Sequence, residues 1–262
     1  MSFGNLTEDA SIAAEKDTVG GGNFGPLESG VYRNMKIVMA YTQMSKGGAM
    51  GIILHLLNQD TQKEIKQTLW VQSGTAKGSK NYYETKTGEK RYLPGFEIFS
   101  SICKLGANLL PSDMSVEEKT VSLWSYEEKK EVPTQVDVIM PLLGKCITLG
   151  VVKQTVDKTI NVNGPNETPN YQPTGETRDE NEIKKVFRAE DGMTVAEASA
   201  EATEAVFINT WADKNTGVTV DRSTKVAAPA AGAAPSASGS IAFGAAAGSP
   251  DAKPSAPIFG AG

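Results

Sequence analysis

The stretch VYRNMKIVMAY, residues 31–41, alternates apolar and polar side chains along most of its length. Val31, Met35, Ile37, Met39 and Tyr41 fall on one face, and Tyr32, Asn34 and Lys36 on the other, with Arg33 the exception. A period of two is that of a strand with one face against a core. After the turn Lys46-Gly47-Gly48 comes AMGIILHLL, residues 49–57, apolar on both faces as a central strand is. IKQTLWVQ, residues 65–72, alternates again. Ile65, Leu69 and Val71 point one way with Gln67 the exception, while Lys66, Thr68, Trp70 and Gln72 point the other. The three segments together predict an antiparallel meander.

Working outward, Gly74 to Tyr92 reads as a polar, basic loop or hairpin that ends at Leu93-Pro94-Gly95. Phe96 to Leu105 has helical spacing of Phe96, Phe99, Ile102 and Cys103. Strands are expected at Thr120–Tyr126, Thr134–Leu142 and Cys146–Val156, the last two forming a hairpin around Gly144-Lys145. Ile160 to Glu180, with Pro165, Pro169 and Pro173, reads as a loop, and Ile183–Arg188 as a strand. Thr194 to Trp211 reads as one helix opened by the capping box Thr194-Val195-Ala196-Glu197. Val195, Ala198, Ala202, Ala205 and Val206 form one apolar stripe, with Phe207, Ile208 and Trp211 on the opposite side, so Trp211 is expected in the core. The fold expected is mainly β (α+β): an OB-like antiparallel barrel with a short internal helix and a C-terminal helix. It should occupy residues 28–215, between a flexible N-terminal arm (1–27) and a disordered tail (216–262). From Val226 onward 14 Ala, 6 Gly, 5 Pro and 5 Ser leave little else than two apolar islands, Ile241–Gly244 and Ile258-Phe259-Gly260. Such a segment buries too little apolar surface to offset its conformational entropy.

Small counts exclude several chemistries. In 262 residues there are two cysteines, Cys103 and Cys146, with no C-x-x-C pair, and one histidine, His55, inside an apolar run. A zinc site built on such ligands is excluded by supply, the thiols are expected to be reduced, and His55 reads as a core histidine. Gly20-Gly21-Gly22-Asn23-Phe24-Gly25 matches a dinucleotide fingerprint literally, but it follows no strand and runs into Pro26, so a flexible hinge is the better reading. No apolar run is long enough to cross a membrane, and the acidic N-terminus (Glu8, Asp9, Glu15, Asp17) lacks the basic region of a secretory signal. Asp179, Glu180 and Glu182 are the one cluster able to hold a hard cation in a nuclease or phosphatase, although acidic loops are usually just solvated. No catalytic residue, metal or cofactor is expected.

The net charge of −5 argues against a polyanion binder until it is partitioned. Residues 29–105 carry eleven basic and five acidic groups, a local +6, which leaves −11 elsewhere. Aromatics interleave with those cations: Tyr32 with Lys36, Trp70 with Lys66, and then Lys77, Lys80, Tyr82, Tyr83, Lys90, Arg91 and Tyr92. Unpaired nucleic acid requires aromatic faces on a basic track, with stacking worth roughly 1–3 kcal/mol per base. In that reading Tyr32, Trp70, Tyr82, Tyr83 and Tyr92 stack, and Lys36, Lys66, Lys77, Lys80, Lys90 and Arg91 follow phosphates. The plainer alternative is a solvated hairpin whose aromatics pack along its edge.

In Gly30-Val31-Tyr32 through Ala40-Tyr41, Ser45-Lys46-Gly47-Gly48-Ala49, Gly78-Ser79-Lys80-Asn81-Tyr82-Tyr83, Tyr92-Leu93-Pro94-Gly95-Phe96, Arg178–Ile183 and the Thr194–Trp211 segment, the sequence resembles phage-encoded single-stranded DNA-binding proteins. The resemblance spans roughly residues 25–215 and rests on glycine and aromatic patterns rather than catalytic signatures. It implies an OB-type core that coats single-stranded DNA in replication, recombination and repair, in the cytoplasm of an infected bacterium. Partner proteins would meet the tail through Ile258 and Phe259, although the tail lacks the acidic character common at that position in bacterial proteins of this function. An unpaired edge strand would let copies associate. The competing class is a structural or transcription-associated interaction protein working through the low-complexity tail.

Overall fold

The computed structural model describes residues 25–125, 128–164 and 170–224. In chain order the strands are β1 (Gly30–Met44), β2 (Met50–Asn58), β3 (Glu64–Gln72), β4 (Tyr82–Glu84), β5 (Lys90–Tyr92), β6 (Val116–Ser125), β7 (Lys130–Ile139), β8 (Cys146–Asn161), β9 (Tyr171–Arg188) and β10 (Thr219–Asp221). Helix α1 (Pro94–Ile102) lies between β5 and β6 and ends in a π turn, Cys103–Ala107, while α2 (Val195–Ser199) and α3 (Phe207–Asn215) follow β9. The protein is mainly β and the main sheet is almost wholly antiparallel; among the described residues only the β10–β8 pair is parallel.

β1, β2 and β3 form the expected meander, and the sheet continues from β1 through β8 to β9. Among the described residues β3 and β9 form no ladder, so the sheet does not close. Helix α1 packs against both strands at this seam. Gln67, the polar exception on the inner face of β3, spans it: its side-chain carbonyl accepts from the Ile183 N–H at 2.8 Å. Met35, Ile37, Leu54, Leu69, Ile102 and Leu149 belong to the main core enclosed by the sheet and α1.

The single apolar face expected for β1 is divided by two irregularities in register, at Tyr32/Met35 and Ile37/Met39. Asn34 takes φ +54° in the first, and its Nδ2 donates to Asp60 at 2.8 Å. Consequently Met35, Ile37 and Ala40 enter the main core, Val31 turns to a second cluster, and Met39 and Tyr41 turn to a third. That third cluster, with Ile53 and Val138, lies beneath the β6–β7 hairpin and explains why β2 is apolar on both faces. His55, on β2, is half-buried with its ring 6.1 Å from Tyr41, and burial followed by the Lys66 charge pushes its pKa down.

Three expectations are corrected. The hairpin around Gly144-Lys145 does not form: β7 pairs with β6, and β7 and β8 each meet β1, at Tyr41 and over residues 30–36. Gly144 (φ +76°) donates to the Ile37 carbonyl and Ile37 donates back to Lys145 at 2.8 Å, which carries the chain along β1 instead of doubling it back. The 160–180 loop is largely strand, because β8 and β9 pair as a long arm out to Asn161 and Tyr171. Pro173 is accommodated opposite Thr159 beside a register shift, on a strand whose other edge makes no ladder there.

The Thr194–Trp211 segment is two helices, not one. The capping box is present at Thr194 and Glu197, but α2 ends at Ser199, and Glu201 takes φ +51°. Glu197 then serves a second helix start. One carboxylate oxygen accepts from Thr194 N–H at 2.8 Å, and the other accepts from Val206 and Phe207 N–H at 2.9 and 2.8 Å. The two apolar stripes on opposite sides therefore belong to two helix axes. Trp211 is buried as expected, edge-on to Phe187 at 6.4 Å, and a Cβ at Gly150 would come within 2.9 Å of its ring. Cys103 and Cys146 are both free thiols. Residues 1–24 and 225–262, Ile258 and Phe259 among them, fall outside the described residues, whereas Leu27 of the expected arm is buried and Thr219–Asp221 of the expected tail is β10, paired with β8.

Candidate nucleic-acid interface

Alternation on β3 sends Leu69 and Val71 into the core and leaves the Trp70 indole outward, 46% exposed. Trp70 stands opposite Gly51 on β2, and the ring leans across that glycine: a Cβ there would lie 3.2 Å from it. Gly95, in the first turn of α1, sits against the Trp70 backbone, where a Cβ would be only 2.4 Å from the carbonyl oxygen. Two glycines therefore fix how the tryptophan strand meets its neighbours.

Beyond β3 the chain forms a flap. A turn at Thr75–Lys77 is tied to the β1–β2 connection by Thr75 N–H donating to the Gly47 carbonyl at 3.0 Å. Ser73 and Lys80 exchange hydrogen bonds, Ser73 N–H to the Lys80 carbonyl and Lys80 N–H to Ser73 Oγ. β4 and β5 then pair as a small hairpin with Tyr82 opposite Tyr92 and Tyr83 opposite Arg91. Tyr92 packs on Phe96 at 5.0 Å, which seats the flap on α1.

A groove of about 920 Å³ runs between β3, this flap, the start of α1 and residues 182–184 of β9. Trp70, Lys77, Lys80, Tyr82 and Tyr83 line it together. The Lys80 and Lys90 ammonium groups lie 5.4 and 5.1 Å from the Tyr82 ring centroid, within cation–π range. The groove also holds Lys184, whose ammonium pairs with Glu182 at 2.6 Å, and the carboxylates of Glu84 and Glu97. Its lining is amphiphilic, and the excess of positive charge lies on the flap, where residues 74–92 carry five cations against two carboxylates.

The remaining sequence candidates lie elsewhere. Lys90, Arg91 and Tyr92 are on β5, outside the groove lining, and Arg91 pairs with Glu89 at 2.8 Å. Lys66 is on the outward face of β3, opposite His55. Tyr32 and Lys36 are two strands away on β1. Tyr32 leans on the main core, with its hydroxyl donating to the Glu28 carbonyl at 2.6 Å, and burial and then the Glu28 charge push its phenol up. Lys184 and Gln67 were not anticipated, because their place depends on how β9 sits across the seam from β3.

The acidic cluster is dispersed into local pairs. Asp179 accepts from Thr155 at 2.7 Å, Glu180 accepts from Gln154 at 2.9 Å, and Glu182 meets Lys184. Among the described residues no three such side chains converge as metal ligands, and no helix is long and apolar enough to cross a membrane. A scan against models of known protein families found no match, and a search of the curated proteins found none either.

Proposed function

We propose that this protein binds single-stranded DNA without strong sequence preference, as a non-enzymatic OB-type coat for phage replication, recombination and repair intermediates in the infected cell. The observation that carries the reading is the half-exposed indole of Trp70, held on the outer face of a strand beside Tyr82, Tyr83, Lys77 and Lys80. A large apolar ring kept in water at the wall of a cation-flanked groove is what base stacking uses, and any base supplies the partner face. The spatial order β3-β2-β1-β8-β9, with α1 across the open seam, supports the OB-type assignment. In OB folds the face of the second and third strands is the usual oligonucleotide platform, and on this reading Trp70, on the outer face of β3, belongs to that platform.

The test is a titration with oligo-dT followed by tryptophan fluorescence at several salt concentrations. Binding should quench emission, and log K should fall with log salt by about 0.7 for each phosphate neutralised. Trp211 is buried and Trp124 lies away from the groove on β6, so Trp70→Phe should remove most of the quench. Trp70→Ala should weaken binding roughly 5- to 150-fold, the equivalent of about 1–3 kcal/mol. Absence of a salt slope, or a quench that survives Trp70→Phe undiminished, would refute the assignment.

A further inference from the structure

β6 pairs with β7 along one side only; among the described residues nothing pairs with its other edge. Its inner face, Val121 and Leu123, packs over Tyr41 and Ile53. Its outer face reads Val116, Glu118, Thr120, Ser122, Trp124, with Val116 50% and Trp124 56% exposed at opposite ends. A ten-residue edge with an apolar residue at each end is a template for another strand.

We propose that β6 is a homodimer interface, pairing antiparallel with β6 of a second copy about a twofold axis through Thr120. A twofold axis that sets one strand beside its copy, antiparallel, must stand perpendicular to the sheet. It keeps outer face on outer face, so registers change in steps of two residues, and charge chooses among them. Centring on Glu118 would oppose two carboxylates, and centring on Lys119 two ammonium groups, which is unfavourable for residues directly opposite. Centring on Val121 sets Trp124 over Glu118 and runs Val116 past the end of the partner strand. Centring on Thr120 places each Val116 against the partner's Trp124 and each Glu118 against Ser122. Both exposed apolar residues are then covered twice over by one symmetry operation. On the inner face Lys119, held by Glu117 at 2.8 Å, lays its aliphatic stem over Val121 of the other copy. A second copy is the occupant because the pattern is self-complementary, as a closed twofold contact requires. The surface is separate from the groove, so this interface stands or falls independently of DNA binding.

The experiment is sedimentation velocity on the full chain across a wide concentration range, alongside Thr120→Lys and Trp124→Ser. The wild type should show a concentration-dependent dimer, and Thr120→Lys, which opposes two ammonium groups on the axis, should abolish it with an unchanged circular dichroism spectrum. Trp124→Ser should reduce it in the same way and serves if Thr120→Lys fails to fold. In a Cys146→Ser background, Thr120→Cys should cross-link to dimer on oxidation while Ser122→Cys should not. A wild type monomeric at every concentration, a dimer indifferent to both substitutions, or equal cross-linking at 120 and 122 would overturn the proposal.

Discussion

Replacing Gly95 by alanine tests whether the seam between α1 and β3 is as tight as the backbone indicates. The added Cβ would lie 2.4 Å from the Trp70 carbonyl oxygen, 2.7 Å from its nitrogen and 2.9 Å from its carbonyl carbon. Carbon and carbonyl oxygen ordinarily approach no closer than about 3.3 Å, so the helix start or the strand must retreat by roughly 1 Å. The obstacle is backbone on both sides, and no side-chain rotation relieves it. Such overpacking typically costs about 1–3 kcal/mol. Alanine improves helix propensity by about 1 kcal/mol over glycine, which offsets part of that cost. A net loss of up to about 2 kcal/mol lowers Tm by up to roughly 8 °C in a domain of this size. The displaced wall carries Trp70, so oligo-dT affinity should fall as well. Gly30→Ala is the control, because a Cβ there meets nothing within 4 Å. Thermal melting by circular dichroism, with fluorescence titration on the same samples, reads both effects. A Gly95→Ala variant that melts at or above the wild type and binds oligo-dT equally well would show that the seam does not depend on that close approach.

Glu197→Ala should cost about 1–2 kcal/mol, the usual worth of a helix cap, since the carboxylate serves the starts of both α2 and α3. Burial pushes this carboxyl up, but hydrogen bonds from Thr194, Phe207 and Val206 outweigh it and hold the pKa below its ordinary value. Its stabilisation is therefore present above the unfolded value of about 4.3 and lost as pH falls through the lower folded value, so wild-type and variant stabilities should converge in acid. Cys103 is buried and its thiol is pushed up to about 12, chiefly by burial, so it should resist alkylation in the native protein at neutral pH and react on unfolding, as mass spectrometry would show. Lys80→Ala removes a groove cation: affinity for oligo-dT should fall at low salt and the salt slope should shrink by about 0.7, with Tm little changed. An unchanged slope would place Lys80 off the phosphate track.

What was legible in the sequence follows which surfaces are covered. β1, β2 and β3 announce themselves because at least one face of each meets a core, so apolar residues recur at period two. Beyond Asp157 the β8–β9 arm is exposed on both faces, burial no longer dictates side-chain type, and a long paired strand carries the composition of a loop. The bulges of β1 are hidden for the opposite reason: apolar side chains lie on both sides of the irregularities, so a shifted register leaves an acceptable pattern. In the Thr194–Trp211 segment the signal was present, as two opposed apolar stripes. What could not be read was that Glu197 reaches a second helix start nine and ten residues further on. The candidate site divides the same way. Trp70, Lys77, Lys80, Tyr82 and Tyr83 lie within fourteen residues and reach one groove through local turns, so sequence proximity foretold spatial proximity. Lys184 and the Gln67–Ile183 bond depend on two strands more than a hundred residues apart meeting across a seam without a ladder. No local pattern encodes that juxtaposition. The odd inward glutamine of β3 was its one trace, a polar side chain on a core face that makes sense only once the missing strand pairing is known.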